Sequence, residues 1–413
     1  MQNASASQQG GARHRYLPIL SWVLVALVAI WLVRAVLRRP TTEHRKRVSA
    51  FSVALRLIPA RFTGRADEAA LYEAAMRAMV YSLNDPHSAY LNPYEVREAD
   101  AQAEGEFGGV GVEVSLADGG AIVTNVRADG PAAAAGVVAG DVIVGVDGRD
   151  AAGLNFLELL SRIRGKVGTT VELSLQRAAT GMRETVRLTR ARILMESVRW
   201  EKVEPGVGHI RIVQFDAHSL ADTRKAIVEL QGGGWMEALL LDLRGNAGGL
   251  LTEAVGVCDL FLSSGVIVRV EGRSPGGRES YHAHAGTAVP EEVPMAVLID
   301  GQSASAAEVV AGALKGNGRA TLIGLRTFGK GAVNRLYGLP DGSGVVLTVA
   351  HYRAGDGIEV NGKGIEPDIK VGELPPVPTG DDREEKERWL ALYRAAQKEQ
   401  FDRAVEFLKS KVR

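Results

Sequence analysis

The run Met295 to Ile299 is apolar and strand-like, and it ends in Asp300-Gly301. A turn of small residues follows, presenting Ser303 and Ser305 before a helix-like segment from Ala306 to Leu314. A second apolar run, Thr321 to Gly324, leads into Thr327-Phe328-Gly329-Lys330-Gly331. This order constrains the chain to place a hydroxyl where a strand gives way to a helix, with a lysine returned towards it by the next strand. A serine in that position lies close to unpaired backbone N–H groups, which can also stabilise an oxyanion. The alternative is that Ser303 and Ser305 only cap the helix and Lys330 is a surface charge. The segment alone leaves both open.

A related unit lies upstream. Ala238 to Arg244 reads as a fully buried strand, ending in Gly245-Asn246-Ala247-Gly248-Gly249-Leu250-Leu251 before another helix. Open α/β sheets place ligands and anion-binding amides at such strand ends. No Gly-Lys-Ser/Thr follows, which argues against a nucleotide site. His209 to Val213 reads as a further strand and Ala221 to Leu230 as a helix.

At 413 residues the chain has room for two or three domains. Its 49 basic and 49 acidic residues balance, so bulk charge gives no sign of a nucleic-acid partner. The single cysteine, Cys258, excludes an intrachain disulfide and a multi-cysteine metal site, and its apolar helical setting marks it as a core residue. His282 and His284 form an H-x-H pair with no third ligand in view, so no metal site is expected.

Residues 1–15 are small and polar and read as a disordered terminus. Tyr16 to Val33 holds eighteen residues without a charge, flanked by arginines and carrying Tyr16, Trp22 and Trp31 as interfacial anchors. No small-x-small cleavage site closes the run, so the expectation is an uncleaved transmembrane anchor over 16–36. The stronger basic cluster follows the run, which by the positive-inside rule would keep the body in the cytoplasm. Residues 48–103 read as mostly helical, with an amphipathic stretch from Glu68 to Leu83 and a turn-rich break from Asn84 to Pro93.

From Glu104 onward the pattern changes to short β-like runs punctuated by glycine. The loop Gly108-Gly109-Val110-Gly111-Val112, the run Gly130-Pro131-Ala132 to Gly136, and Gly140-Asp141-Val142-Ile143-Val144-Gly145-Val146-Asp147-Gly148 stand in this order. Together they resemble a PDZ domain, set at 104–178. Backbone N–H groups along Gly109, Val110, Gly111 and Val112 would hold a peptide carboxylate while the peptide adds as a strand to the neighbouring edge. A strand-rich connector (Glu184 to Trp200) enters a larger α/β region, and 184–372 is taken as one core. A proline-rich linker then precedes a charged helix with an apolar face at Trp389, Leu390, Leu392, Tyr393 and Ala396, completing a 373–413 tail expected to dock in cis.

Six blocks now stand in order: Asp85-Pro86-His87-Ser88-Ala89-Tyr90-Leu91; the PDZ pieces; Asp242-Leu243-Arg244 with Gly248-Gly249-Leu250; Ser303-Ala304-Ser305-Ala306-Ala307-Glu308; Thr327 to Gly331; and Gly364-Ile365-Glu366-Pro367-Asp368-Ile369. On these the chain resembles the carboxyl-terminal processing, or tail-specific, serine proteases over about residues 50 to 372. The resemblance implies an α/β protease core with an inserted β-rich PDZ domain and a helical N-terminal region, joined here to one transmembrane helix. It implies Ser305 as nucleophile and Lys330 as general base, with Gly249 and Ala306 N–H groups as the oxyanion hole. A glutamine usually orients the lysine; Asn334 holds that position here, one methylene shorter. As general base Lys330 must be neutral, which burial among Phe328, Val333 and the nearby strands would favour.

The expected partners are protein substrates with exposed C-terminal tails, and the membrane; no cofactor is expected, and a homo-oligomer is compatible with the sequence. The family usually works outside the cytoplasm, on the periplasmic side, which conflicts with the basic residues after Val33. Two other readings remain: a PDZ-containing adaptor with a weak or inactive core, and an acyl-CoA-type enzyme, against which the embedded PDZ module argues.

Overall fold

A computed structural model describes residues 42–117, 119–154, 156–204, 206–273, 277–373 and 383–412. Two compact units, Met1–Met79 and Val80–Arg413, divide the chain. The first carries the helix Thr42–Arg61 and most of the helix Glu68–Tyr81. No helix among the described residues is long and apolar enough to cross a membrane. The anchor expected at 16–36 lies outside the described residues.

In the second unit a six-stranded sheet runs Val198–Glu204, Val207–Ile212, Ala238–Asp242, Met295–Ile299, Thr321–Gly324, Ile369–Lys370. Every neighbouring pair is parallel except the first. Parallel strands need crossovers that cover both faces, so their interior strands are apolar at nearly every position. Alternation then sends the side chains to two layers. Leu239, Leu241, Val297 and Ile299 join the core beneath helices Ser219–Gln231, Leu251–Asp259 and Ala306–Gly316. Leu240, Ala296 and Leu298 pack instead on Ala404, Val405 and Leu408 of the terminal helix Arg383–Lys409. That helix docks in cis, but its buried face begins at Ala396; Leu390 and Leu392, expected to lead the contact, are exposed.

Helix Ala306–Gly316 is buried from Ala306 through Leu314 because a second, antiparallel sheet covers its other side. Val268, Val270, Tyr352 and Ala354 of that sheet share its core. The approach is so close that a Cβ on Gly312 would stand 2.5 Å from the Ala354 Cβ. A helix walled on both sides is apolar all round. Within this buried span the one exception is Glu308, whose carboxylate is bonded in the turn region. Cys258 is fully buried in the same core, and burial pushes its thiol well above the ordinary value.

A third sheet runs Val112–Ala117, Gly120–Val126, Val142–Val146, Thr170–Gln176, Arg183–Thr189, with helix Phe156–Ile163 beside it. It extends beyond the boundary expected at 178. Arg183–Thr189 pairs antiparallel with Thr170–Gln176, and its Val186 and Leu188 belong to this domain's core. The α/β core therefore begins after this strand and not at 184. The alternating residues of 183–189 read equally well as a connector, since periodicity does not say which sheet a strand joins. The strand Ala191–Leu194 then returns to pair with Glu106–Gly109, closing the base of the insertion. Val112–Ala117 remains an edge strand.

Candidate active site

The turn after Met295–Ile299 is built by Asp300. Its buried carboxylate accepts from the N–H groups of Gln302 (3.0 Å), Ser303 (3.1 Å) and Gly245 (3.1 Å), joining this turn to the glycine loop after Ala238–Asp242. Ser303 is fully buried, and its hydroxyl donates to the Leu243 carbonyl at 2.8 Å. It is a structural link between the two turns. Ser305 is different: it is half-exposed, at the head of helix Ala306–Gly316, with φ 55° and ψ −116°. For a residue with a Cβ this conformation costs about 1–3 kcal/mol and persists only where neighbours over-determine it.

The glycine loop lies against that strained residue. Gly248 has φ 108°, and a Cβ there would meet the Ser305 Cβ at 2.8 Å. Its N–H is held by the Asn246 side chain at 2.8 Å, and the Asn246 carbonyl accepts from Ala304 at 2.9 Å. The N–H groups of Gly249 and Ala306, by contrast, donate to no acceptor among the described residues. Two unpaired amides flank a half-exposed hydroxyl at a helix N-terminus, which is the donor arrangement an oxyanion requires.

Lys330 reaches the site on the loop between Thr321–Gly324 and Ala332–Gly338. The closing block holds this loop: Thr327 and Ile365 exchange bonds through Thr327 N–H to Ile365 O (3.1 Å) and Ile365 N–H to the Thr327 hydroxyl (2.7 Å). Gly362 N–H donates to Gly329 O at 2.9 Å, and a Cβ on Gly331 would stand 2.5 Å from the Asn361 nitrogen. Lys330 is half-buried, and its Nζ makes no hydrogen bond or ion pair among the described residues. The expected cover from Phe328 is absent, since that ring is 62% exposed. Thr327 and Gly329 turn inward to bond the Glu308 carboxylate, so the residue between them points out.

Asn334 sits at a bulge in its strand, donating through Nδ2 to the His87 carbonyl at 2.7 Å, while its Oδ1 is buried without a partner. The turn Asp85-Pro86-His87-Ser88 thus lies beside the residue expected to orient the lysine. Ser88 accepts from the Thr348 N–H at 3.1 Å and donates to Asp85 at 2.5 Å, and that bond, ahead of an opposing effect of burial, holds the Asp85 carboxyl below its usual range. The signal for this turn was its compositional break, but the partner lies some 250 positions away in sequence. Tyr352 was equally hidden, and Glu308 stood only as the last letter of its block; both are buried in the site, Glu308 fully and Tyr352 at 4% exposure.

In the loop that leads into the third sheet, the carbonyls of Val110 and Gly111 accept from Ala132 and Arg127 at 2.9 Å each. The N–H groups of Val110 and Gly111 donate to nothing among the described residues. They open on a cavity of about 490 Å³ lined by Gly109, Val112, Val114, Phe156, Leu160 and Ile193 among others, between the edge strand Val112–Ala117 and helix Phe156–Ile163. Of the two loop histidines, His284 lies 3.1 Å from Asp259 and His282 3.0 Å from the Ser280 hydroxyl.

Comparison with known proteins places these features in a family. Residues 206–371 match the model of peptidase family S41, 108–189 that of a PDZ domain, and 35–94 that of the activating protease CtpB N-terminal domain. A carboxy-terminal-processing protease of Bartonella bacilliformis is 35% identical over 334 residues, covering 80% of this chain and 76% of that one. A carboxyl-terminal-processing protease of Picosynechococcus is 37% identical over 315 residues, covering 75% and 74%. Among solved structures, a photosystem II D1 C-terminal processing protease aligns with 31% identity over 81% of this chain and 89% of its own, with a TM-score of 0.45. The chain therefore belongs to peptidase family S41, among the PDZ-containing carboxy-terminal processing serine proteases.

Proposed function

We propose that this protein is a membrane-anchored serine endopeptidase that recognises exposed C-terminal tails through its PDZ domain and cleaves by a Ser305–Lys330 dyad. The half-exposed Ser305 at positive φ, beside two amides without acceptors, carries this reading. Lys330, as general base, takes the Ser305 proton as Oγ attacks the scissile carbonyl; the Gly249 and Ala306 N–H groups hold the oxyanion. The protonated lysine delivers the proton to the leaving amine, and water then hydrolyses the acyl-enzyme. The chemistry needs no metal. Asn334 Oδ1, a buried acceptor lacking a donor, supplies a bond for the lysine ammonium.

The PDZ groove favours a tail that ends in an apolar residue, because Val112, Val114, Phe156, Leu160, Ile163 and Ile193 line it beside charged residues such as Arg127 and Arg164, and its unpaired amides suit a carboxylate. Residues 16–36 anchor the chain, and the body works on the periplasmic side. Resistance of the body to protease added to spheroplasts would contradict that location, and extraction of the full chain by carbonate would contradict the anchor.

An adaptor reading draws on one observation, the Lys330 Nζ without a partner. Incubation of an unfolded, apolar-tailed substrate with wild type, Ser305→Ala, Lys330→Ala and Ser303→Ala separates the two. The protease reading expects turnover in wild type and Ser303→Ala only. Equal inertness of all four across substrates and pH supports the adaptor, and activity surviving in Ser305→Ala removes the assigned nucleophile.

A further inference from the structure

Ser305 and Lys330 lie 25 positions apart. Ser305 is the cap of helix Ala306–Gly316, where its carbonyl accepts from Glu308 and Val309 N–H at 2.9 and 3.0 Å, and Lys330 is on a loop without regular structure of its own. Two buried side chains span them. The Glu308 carboxylate, fully buried, takes the Ser305 N–H on Oε2 at 2.9 Å and the Lys330 N–H on the same oxygen at 2.8 Å. Its Oε1 accepts from Gly329 N–H at 2.7 Å and from the Thr327 hydroxyl at 2.5 Å. On the carbonyl side, the Tyr352 hydroxyl stands 2.8 Å from Ser305 O and 2.8 Å from Lys330 O. It is the only side chain among the described residues placed between those two carbonyls.

We propose that Glu308 and Tyr352 are positioning residues that lock the backbone of the nucleophile to the backbone of the base, one through the N–H groups and the other through the carbonyls. This rests on the Ser305–Lys330 reading and adds to it the device that sets the distance between the two. The need is physical. Ser305 holds a strained conformation that relaxes unless its peptide groups are bound, and Lys330 is flanked by Gly329 and Gly331, which leave the loop backbone permissive. A carboxylate with four donors is fully satisfied, and charge-assisted bonds are about twice as strong as neutral ones. Burial, and next the Glu308 charge, push the Tyr352 phenol well above its ordinary value, so it remains a donor at any working pH. With one proton it serves one carbonyl at a time, and both stay within its reach. Neither side chain is required to touch substrate.

The test uses the full chain. Tyr352→Phe keeps the ring and removes only the hydroxyl; Glu308→Gln keeps the shape but turns an amide NH₂ towards backbone donors. With the apolar-tailed substrate, kcat is expected to fall about 10-fold in Tyr352→Phe and at least about 100-fold in Glu308→Gln, with KM within about two-fold of wild type. Affinity of the PDZ domain for an apolar-tailed peptide should not change, which reports an intact fold elsewhere. Amide hydrogen exchange at Ser305, Gly329 and Lys330 is expected to accelerate in both variants. Unchanged kcat in a folded Tyr352→Phe overturns the proposal, as does a loss confined to KM. Should Glu308→Gln fail to fold, Tyr352→Phe still decides. Should Ser305→Ala retain wild-type turnover, the dyad reading fails separately, while unchanged exchange at Gly329 and Lys330 would independently remove the brace.

Discussion

Ser303 and Ser305 stand two positions apart, yet the first is fully buried and bonded to the Leu243 carbonyl while the second is half-exposed at positive φ. Ser303→Ala is expected to keep turnover but lose about 1–3 kcal/mol of stability, since Leu243 O and Asp300 N–H lose a buried partner. Chemical denaturation and a rate measurement on one preparation check both halves. Asn334→Gln should preserve or raise turnover, because the longer amide extends an acceptor that already lacks a donor. A loss of turnover would mean that the bond to His87 O, and not the free oxygen, is what matters at this position. At this scale the serine turn, the lysine loop and the glycine turn at Gly248-Gly249 were legible as elements because each is spelled in its own short block. Glu308 was legible only as a motif letter: three of its four donors lie 19 to 22 positions away and are brought to it by folding. Phe328 was misread, because apolar character does not reveal which way a loop side chain points.

Between the sheet and the terminal helix, Asp242 and Arg244 form a buried link. Arg244 binds Asp242 through Nε at 2.9 Å and Nη2 at 2.7 Å, and reaches Gln397 O at 2.6 Å and Gln400 at 3.3 Å on the helix. Burial alone would raise the Asp242 carboxyl; Arg244 and then His209 more than offset it and hold it well below the usual range. A depressed folded-state value gives stability that is fully present above the ordinary carboxyl pKa, about 3.9, and is lost as pH falls towards the folded value. The stability gap between wild type and Asp242→Asn should therefore be widest near neutral pH and shrink below about pH 4. A gap independent of pH would contradict the assignment. Arg244→Ala leaves a buried carboxylate without its main partner and is expected to cost about 3–5 kcal/mol, read by urea denaturation, with looser attachment of 383–409. The strand and the helix were both legible from periodicity. Their contact was not: the first buried residue of the helix is Ala396 and not Trp389.

Across the whole molecule, the order of the parts was readable from composition: β-rich insertion, α/β core, charged terminal helix. The extent of the PDZ sheet was not, because Arg183–Thr189 carries strand character without an address. An apolar-tailed peptide should bind the groove at least about ten-fold more tightly than the same peptide ending in aspartate, as one buried apolar side chain is worth about 1.5–3 kcal/mol. Fluorescence titration of labelled peptides measures the ratio, and equal affinities would contradict an apolar terminal pocket. If the PDZ domain gates the core, saturating peptide should also raise hydrolysis of a second, tail-less substrate. The proposed protease activity depends on one chemical event, activation of Ser305 by Lys330. The most direct measurement is modification of the full chain by a fluorophosphonate, located by peptide mass mapping. The adduct should sit on Ser305, persist in Ser303→Ala, and vanish in Lys330→Ala. An adduct on Ser303, or equal modification with and without the lysine, would contradict the account.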